Sequence, residues 1–331
     1  GGIYKQKCGT VAYEGKINIY AGNILISSYG TGDAPVINSS TRDFAIRVYE
    51  KSNVTISGMH VIANDAISCI YIFGSSCDNN IVEHCTMEGS VNGVRVIDGK
   101  NVTIRYNTFI GATEAVYSFA ENTEIYYNVF KDNQTGVSVR SLIANCEVYN
   151  NVFYNNTTSI SVSYSRLTVY NNVFYLEKEN AVAVNKQKGS MISDYNLYYP
   201  EKAGFYVVAD KTFNSLDQLQ NAQGFDMHSL RNDPAFQDVF NDNFKPSDES
   251  PVINAGKFIG LSYDFVGEQI TDGGTPDIGA FEVTPHSTTA INDWTEDVPG
   301  NENIVRVFPN PSDGIVNVTF HSFDENSCQI I

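Results

Sequence analysis

Along most of the chain, short strands that alternate apolar and polar residues are each closed by an asparagine and followed by a shorter apolar run. The segments Asn101-Val-Thr-Ile-Arg-Tyr-Asn107-Thr-Phe109, Glu124-Ile-Tyr-Tyr-Asn128-Val-Phe130, Glu147-Val-Tyr-Asn-Asn151-Val-Phe153 and Thr168-Val-Tyr-Asn-Asn172-Val-Phe174 belong to a repeat of 21 to 26 residues. A further apolar strand fills the other half of each unit, as Gly93-Val-Arg-Val96, Ala115-Val-Tyr-Ser118, Gly136-Val-Ser-Val139, Ser159-Ile-Ser-Val162 and Ala181-Val-Ala-Val184. A unit this short cannot bury a hydrophobic face alone, so its copies must stack. Two or three β-branched strands per unit, no helical period, and turns of Asn, Gly and Ser predict an all-β right-handed parallel β-helix. The handedness follows from the general preference of parallel crossovers.

Stacking turns the alignment into columns. One strand points Ile56, Val82, Ile104, Ile125, Val148 and Val169 inward, and the other Ile46, Ile70, Val94, Val116, Val137, Ile160 and Val182. Coils about 4.8 Å apart make these continuous aliphatic stacks. Asn107, Asn128, Asn151, Asn172 and Asn196 form a structural ladder, because an Asn amide bonds its counterparts above and below and tolerates a left-handed turn. Val61, Met87, Phe109, Phe130, Phe153, Phe174 and Tyr198 form the stacked row beside it.

A net charge of -17 argues against nucleic acid and anionic membrane surfaces as partners. No stretch reads as a membrane span or a signal peptide, and the opening Gly1-Gly2-Ile3-Tyr4 reads as mid-coil, which implies a longer natural product. Cys69, Cys77 and Cys85 are close enough in sequence to meet across neighbouring turns, either as a disulfide or as buried thiols.

The coils occupy residues 1–200. An irregular C-terminal cap follows over 201–282, with Phe213-Asn-Ser-Leu-Asp-Gln-Leu-Gln220 as a short helix over the open solenoid end. Within the cap, Asn232-Asp-Pro-Ala-Phe236, Phe244-Lys-Pro-Ser-Asp-Glu-Ser-Pro-Val-Ile-Asn-Ala-Gly256, Asp264 and Thr275-Pro-Asp-Ile-Gly-Ala-Phe-Glu282 resemble the terminal signature of secreted β-helix proteins with interchangeable surface-anchoring tails. That pattern has an Arg where this chain has Glu268 and Gln269, so the ion pair it implies is missing here. Asp264, Asp277 and Glu282 read as structural carboxylates of the cap. A polar linker spans 283–303. In 304–331, Pro309-Asn310-Pro311-Ser-Asp-Gly314 before an alternating strand resembles the start of the β-sandwich sorting domain read by the type IX secretion machinery of Bacteroidota. The resemblance implies a truncated sorting domain and a protein secreted or held at the outer cell surface.

One outward position per coil makes a vertical stripe. The first is Arg47, Tyr71, Arg95, Tyr117, Ser138, Ser161, Ala183 and Tyr206, and a second is Ser57, Glu83, Arg105, Tyr126, Tyr149 and Tyr170. Rings suit the apolar faces of sugars and guanidinium forks suit uronate or sulfate groups, so Arg47, Tyr71, Arg95, Tyr117, Tyr149 and Tyr170 are candidate binders of extracellular polysaccharide. Beside the second stripe, Glu124 and Glu147 stack within about 5 Å of each other. They are candidates for a calcium site or for a glycosidase-like pair, against the plainer alternative of two splayed exposed side chains. The solenoid resembles pectate-lyase-like polysaccharide lyases, whose elimination chemistry needs a cation or Arg against the uronate and a base for its proton. Arg105, Tyr126, Glu124 and Glu147 are the candidate catalytic set. A non-catalytic adhesin or surface spacer is the competing expectation.

Overall fold

The computed structural model describes residues 2–9, 13–39, 42–64, 66–141, 145–270 and 274–283, together with the backbone of 307–309 and 316–318. The chain divides into two compact units, residues 1–285 and 286–331. In the second, Val307–Pro309 and Val316–Val318 pair antiparallel. The Pro-Asn-Pro turn between them lies outside the described residues.

The first unit is a right-handed parallel β-helix of three sheets, of nine, nine and ten strands, in which each strand pairs with its counterpart one coil away. Sheet A runs from Gly2–Lys7 through Asn122–Tyr126 to Met191–Asp194, sheet B from Tyr13–Glu14 through Val129–Lys131 to Leu197–Tyr199, and sheet C from Ile17–Ile19 through Glu114–Ser118 to Lys211–Phe213. Only the last strand of sheet C is antiparallel to its neighbour. The expected inward columns hold, with Ile104 paired to Ile125, Ile125 to Val148, Val94 to Val116 and Val116 to Val137.

Phe109, Phe130, Phe153, Phe174 and Tyr198 are fully buried, with successive ring centroids 4.7 to 5.2 Å apart and nearly parallel. Burial of each ring contributes roughly 1.5–3 kcal/mol. Gly93 and Gly136 face this row because a Cβ there would meet a Phe109 or Phe153 ring carbon within 3 Å.

The asparagine ladder is continuous. Asn107, Asn128, Asn151 and Asn172 each donate a backbone N–H and a side-chain amide to the Oδ1 of the next, at 2.9 to 3.1 Å. Asn196 ends it by donating to Asp226, a fully buried carboxylate that also accepts from Ser193, Tyr198 and Ser229. The left-handed position is not the ladder residue, as expected from Asn propensity, but the one before it: Gly58, His84, Tyr106, Tyr127, Asn150, Asn171 and Tyr195 all have φ between 49° and 70°. This conformation turns the ladder side chain inward and throws the preceding side chain outward. It costs non-glycine residues roughly 1–2 kcal/mol each.

One register reading fails. Beyond Ser161 the connection is two residues longer than assumed, so Ile160 pairs with Val184 and Ser161 with Asn185. Val182 therefore does not take the inward place, Ala183 is buried, and Tyr206 is fully buried with Val207 opposite Asn185. The cysteines at 69, 77, 85 and 146 are buried free thiols, not disulfides.

The helix α1 (Leu216–Gln223), capped by Ser215 and by the left-handed Gly224, buries Leu216 and Leu219 in the main core at the far end. Residues 228–270 and 274–283 then do something the sequence did not announce. They turn back along the outside of the corner between sheets A and B, as a strap.

Candidate functional site

The two stripes predicted from the repeat exist in register. Sheet C aligns Arg47, Tyr71, Arg95, Tyr117, Ser138 and Ser161, and sheet A aligns Ser57, Glu83, Arg105, Tyr126, Tyr149 and Tyr170. Their surroundings differ.

On sheet C the guanidinium of Arg95 lies between two rings, 5.4 Å from Tyr71 and 5.6 Å from Tyr117. Arg47 stands over Phe44 and Tyr49 at 4.8 and 5.4 Å. Arg95 has no carboxylate partner among the described residues. Two residues along each strand a companion column adds Tyr49 and Phe73, stacked at 5.8 Å, then Ile97, Phe119 and Arg140. Arg140 stands 5.3 Å from the Tyr117 ring and pairs with Glu114. Phe119 and Arg140 also line a hollow of about 590 Å³ with Asp98, Lys100 and Glu121. These companions were missed by the sequence reading, although the period-two rule that gave the first column gives the second at the next outward position.

On sheet A, Arg105 is already committed. Its Nε and Nη2 donate to one oxygen of Glu83 at 2.8 and 2.7 Å, and its Nη1 donates to the Tyr126 hydroxyl at 3.1 Å. Tyr126, expected to face solvent, is only 6% exposed and belongs to a second apolar cluster with Phe281, Ile278, Ile270 and Val252 of the strap. Tyr149 stacks on Tyr126 at 5.3 Å, and burial raises its phenol well above the usual range. Tyr170 lies beneath Lys257 of the strap, 4.4 Å from ammonium to ring.

The strap rests on the side chains that the left-handed positions throw outward. Tyr106 donates to the Tyr263 carbonyl, Tyr127 to Glu282, Asn150 to the carbonyls of Asp277 and Gly279, Asn171 to that of Lys257, and Tyr195 stacks on His228. Lys131 pairs with Asp242.

Glu124 and Glu147 sit side by side in register, on adjacent coils. They line a hollow of about 360 Å³ with Thr103 and the asparagines 101, 122 and 145. Burial and then Glu147 raise the Glu124 carboxyl, with Arg105 opposing. The asparagines are the last rungs of an outer ladder, Asn23 through Asn53, Asn79, Asn101 and Asn122 to Asn145, that the sequence reading also missed. Among the described residues no three of His, Cys, Asp or Glu converge as metal ligands, and no helix is long and apolar enough to cross a membrane.

Residues 8–202 match the family described as "Periplasmic copper-binding protein (NosD)". The chain belongs to this NosD family. None of the curated proteins matches it in sequence. Among solved structures it is similar to pectate lyase Pel9A, at 13% identity and a TM-score of 0.49 over 85% of this chain and 86% of that one. It is also similar to Jun a 1, the major allergen from cedar pollen, at 11% identity and a TM-score of 0.42 over 64% and 78% of the two chains.

Proposed function

We propose that this protein is an exported β-helix that holds an acidic polysaccharide along the open face of sheet C. The observation that carries the reading is Arg95, sandwiched between Tyr71 and Tyr117 with no carboxylate to neutralise it among the described residues. A guanidinium there is held by rings that do not satisfy its charge, so uronate or sulfate groups gain a charge-assisted partner and sugar faces gain the rings. Arg47, ringed by Phe44 and Tyr49 two coils away, extends the same chemistry, whereas Arg140 is paired with Glu114. The test is titration of the intact protein with polygalacturonate, alginate and a sulfated glycan at low and high salt. Binding that weakens with salt and with Arg95→Ala supports the reading, and no binding to any of them overturns it.

A binding role fits better than elimination at the sheet A stripe. The Tyr126 hydroxyl accepts from Arg105 beneath the strap, and Arg105 is held by Glu83. Catalysis by the set Arg105, Tyr126, Glu124 and Glu147 would require the strap to leave. Glu124 and Glu147 are the proposed ligands for calcium against a uronate at the neighbouring hollow.

The family name brings copper, and the donors among the described residues do not fit it. The thiols of Cys69, Cys85 and Cys146 are pushed up to about 12 by burial, which keeps them protonated. His60 pairs with Glu88 and His228 with Asp194, on separate parts of the surface. Export is supported by the periplasmic designation of the family. The finer route, through the type IX machinery, rests on the motif at 309–314. Ending the chain at Glu282 should abolish secretion in a suitable host, and normal secretion would remove that route.

A further inference from the structure

Asp264, Asp277 and Glu282 meet where the strap ends against the solenoid wall, and the arrangement is unequal. Asp264 accepts three backbone N–H groups, from Val266, Glu268 and Glu282, at 2.7 to 3.0 Å. Asp277 accepts two, from Asn254 and Val283, both at 2.7 Å. Glu282 receives one amide, that of Asp277 at 3.1 Å, and the Tyr127 hydroxyl at 3.3 Å. No Lys, Arg or His pairs with any of the three among the described residues. The groups that face the cluster from the solenoid are Tyr127, Tyr106 and Asn150, all uncharged, and from the strap the further carboxylate of Glu268. Arg105 stands 5.4 Å from the Tyr106 ring, but its donors go to Glu83 and Tyr126.

We infer that the strap is fastened by a proton-dependent latch, in which Glu282 holds a proton when the strap is seated and loses it when the strap lifts off Tyr127. Five amides offset part of the burial cost of two of the carboxylates, and a third buried beside them, with one amide and one phenol, has less to offset it. Burial and then Asp277 push Glu282 up to about 8, and burial pushes Asp277 up to about 6. For an acid raised in the folded state, the seated strap binds more protons than the lifted one. Its contribution is therefore complete near the ordinary carboxyl range and is lost as pH rises toward about 8. Lifting would uncover the row of Tyr126, Tyr149 and Tyr170, a second aromatic stripe beside Arg105. This deepens the binding proposal only in that last consequence, and the latch is tested without any glycan.

The experiment is hydrogen exchange on the intact chain at pH 5, 6.5, 8 and 9, corrected for intrinsic rates, following amides 277–283. Protection should fall by about tenfold or more from pH 5 to 8 in the native protein. In Glu282→Gln the decline above about pH 6.5 should be lost, leaving only the earlier fall set by Asp277. In Tyr127→Phe, which removes the phenol donor, the decline should extend to higher pH. Protection independent of pH in the native protein, or an unchanged decline in Glu282→Gln, overturns the latch. Should Glu282→Gln fail to fold, an unshifted decline in Tyr127→Phe does so equally. Measured alongside, glycan binding that persists at pH 5 to sheet C but gains no second component at pH 8 to 9 would remove only the uncovering of the sheet A row.

Discussion

Arg95 with Tyr117 and Arg105 with Tyr126 are the same two residue types, on adjacent coils, in the same cross-strand register. On sheet C the arginine is held by rings and has no carboxylate partner among the described residues. On sheet A it is locked to Glu83, and its tyrosine is buried under the strap. The repeat decides which side chains leave the solenoid. It does not decide what waits outside, because the strap over Tyr126 comes from 126 to 155 residues further along and follows no period.

The largest test of this contrast removes the cover. Ending the chain at Pro251 strips Val252, Ile270, Ile278 and Phe281 from the apolar cluster. The melting temperature should fall by roughly 10 °C or more, at about 2–4 °C per kcal/mol for a protein of this size. A hydrophobic dye should bind the bared corner, while acidic glycan binding at sheet C should survive. Unchanged melting would mean that the strap is not part of the core. Inside the coils, Asn151→Ala should cost about 1–3 kcal/mol, since Asn128 and two carbonyls lose buried bonds. Asn122→Ala in the exposed outer ladder should cost about 0.5 kcal/mol or less by chemical denaturation.

The two arginines then provide a crossed experiment. Arg105→Ala should destabilise by about 1–3 kcal/mol, because Glu83 is left largely buried without a partner, and should leave glycan affinity unchanged. Arg95→Ala should do the reverse, lowering affinity by about tenfold with a stability change within about 0.5 kcal/mol. Equal effects of both on binding would erase the distinction between the faces. An effect as small as that of Asn122→Ala is expected of Glu124→Gln. Burial and Glu147 raise this carboxyl in the folded state, so its contribution declines as pH rises through its titration. The amide should therefore stabilise the protein by about 0.5 kcal/mol at pH 7 and by less at pH 4.

What was legible in the sequence follows from what is periodic. Ile104, Phe130 and Asn151 could be placed because each has equivalents one coil away and only one side of the wall is apolar. Register failed at Val182 and Tyr206, where a single connection lengthens by two residues and nothing local records it. Tyr127 and Asn150 were read only as neighbours of the ladder. Their role as the seat of the strap was hidden because it depends on φ, which sequence does not display for a tyrosine, and on partners more than 120 residues away. Asp264, Asp277 and Glu282 were legible as structural carboxylates of the cap, but not their unequal share of backbone amides.

The strap has a consequence for how this solenoid can change over generations. A stack of self-similar coils is an architecture whose length is free to drift, since duplicating one unit re-forms the ladder above and below it. Here Asn171 is matched to Lys257, Asn150 to Asp277 and Tyr127 to Glu282, each coil with its own partner. An added coil between residues 106 and 195 would leave one outward turn residue without a mate and put every later contact out of step by one rung. The strap thus serves as a gauge that fixes the number of coils along this corner, and variation in length should be confined to the coils before His84.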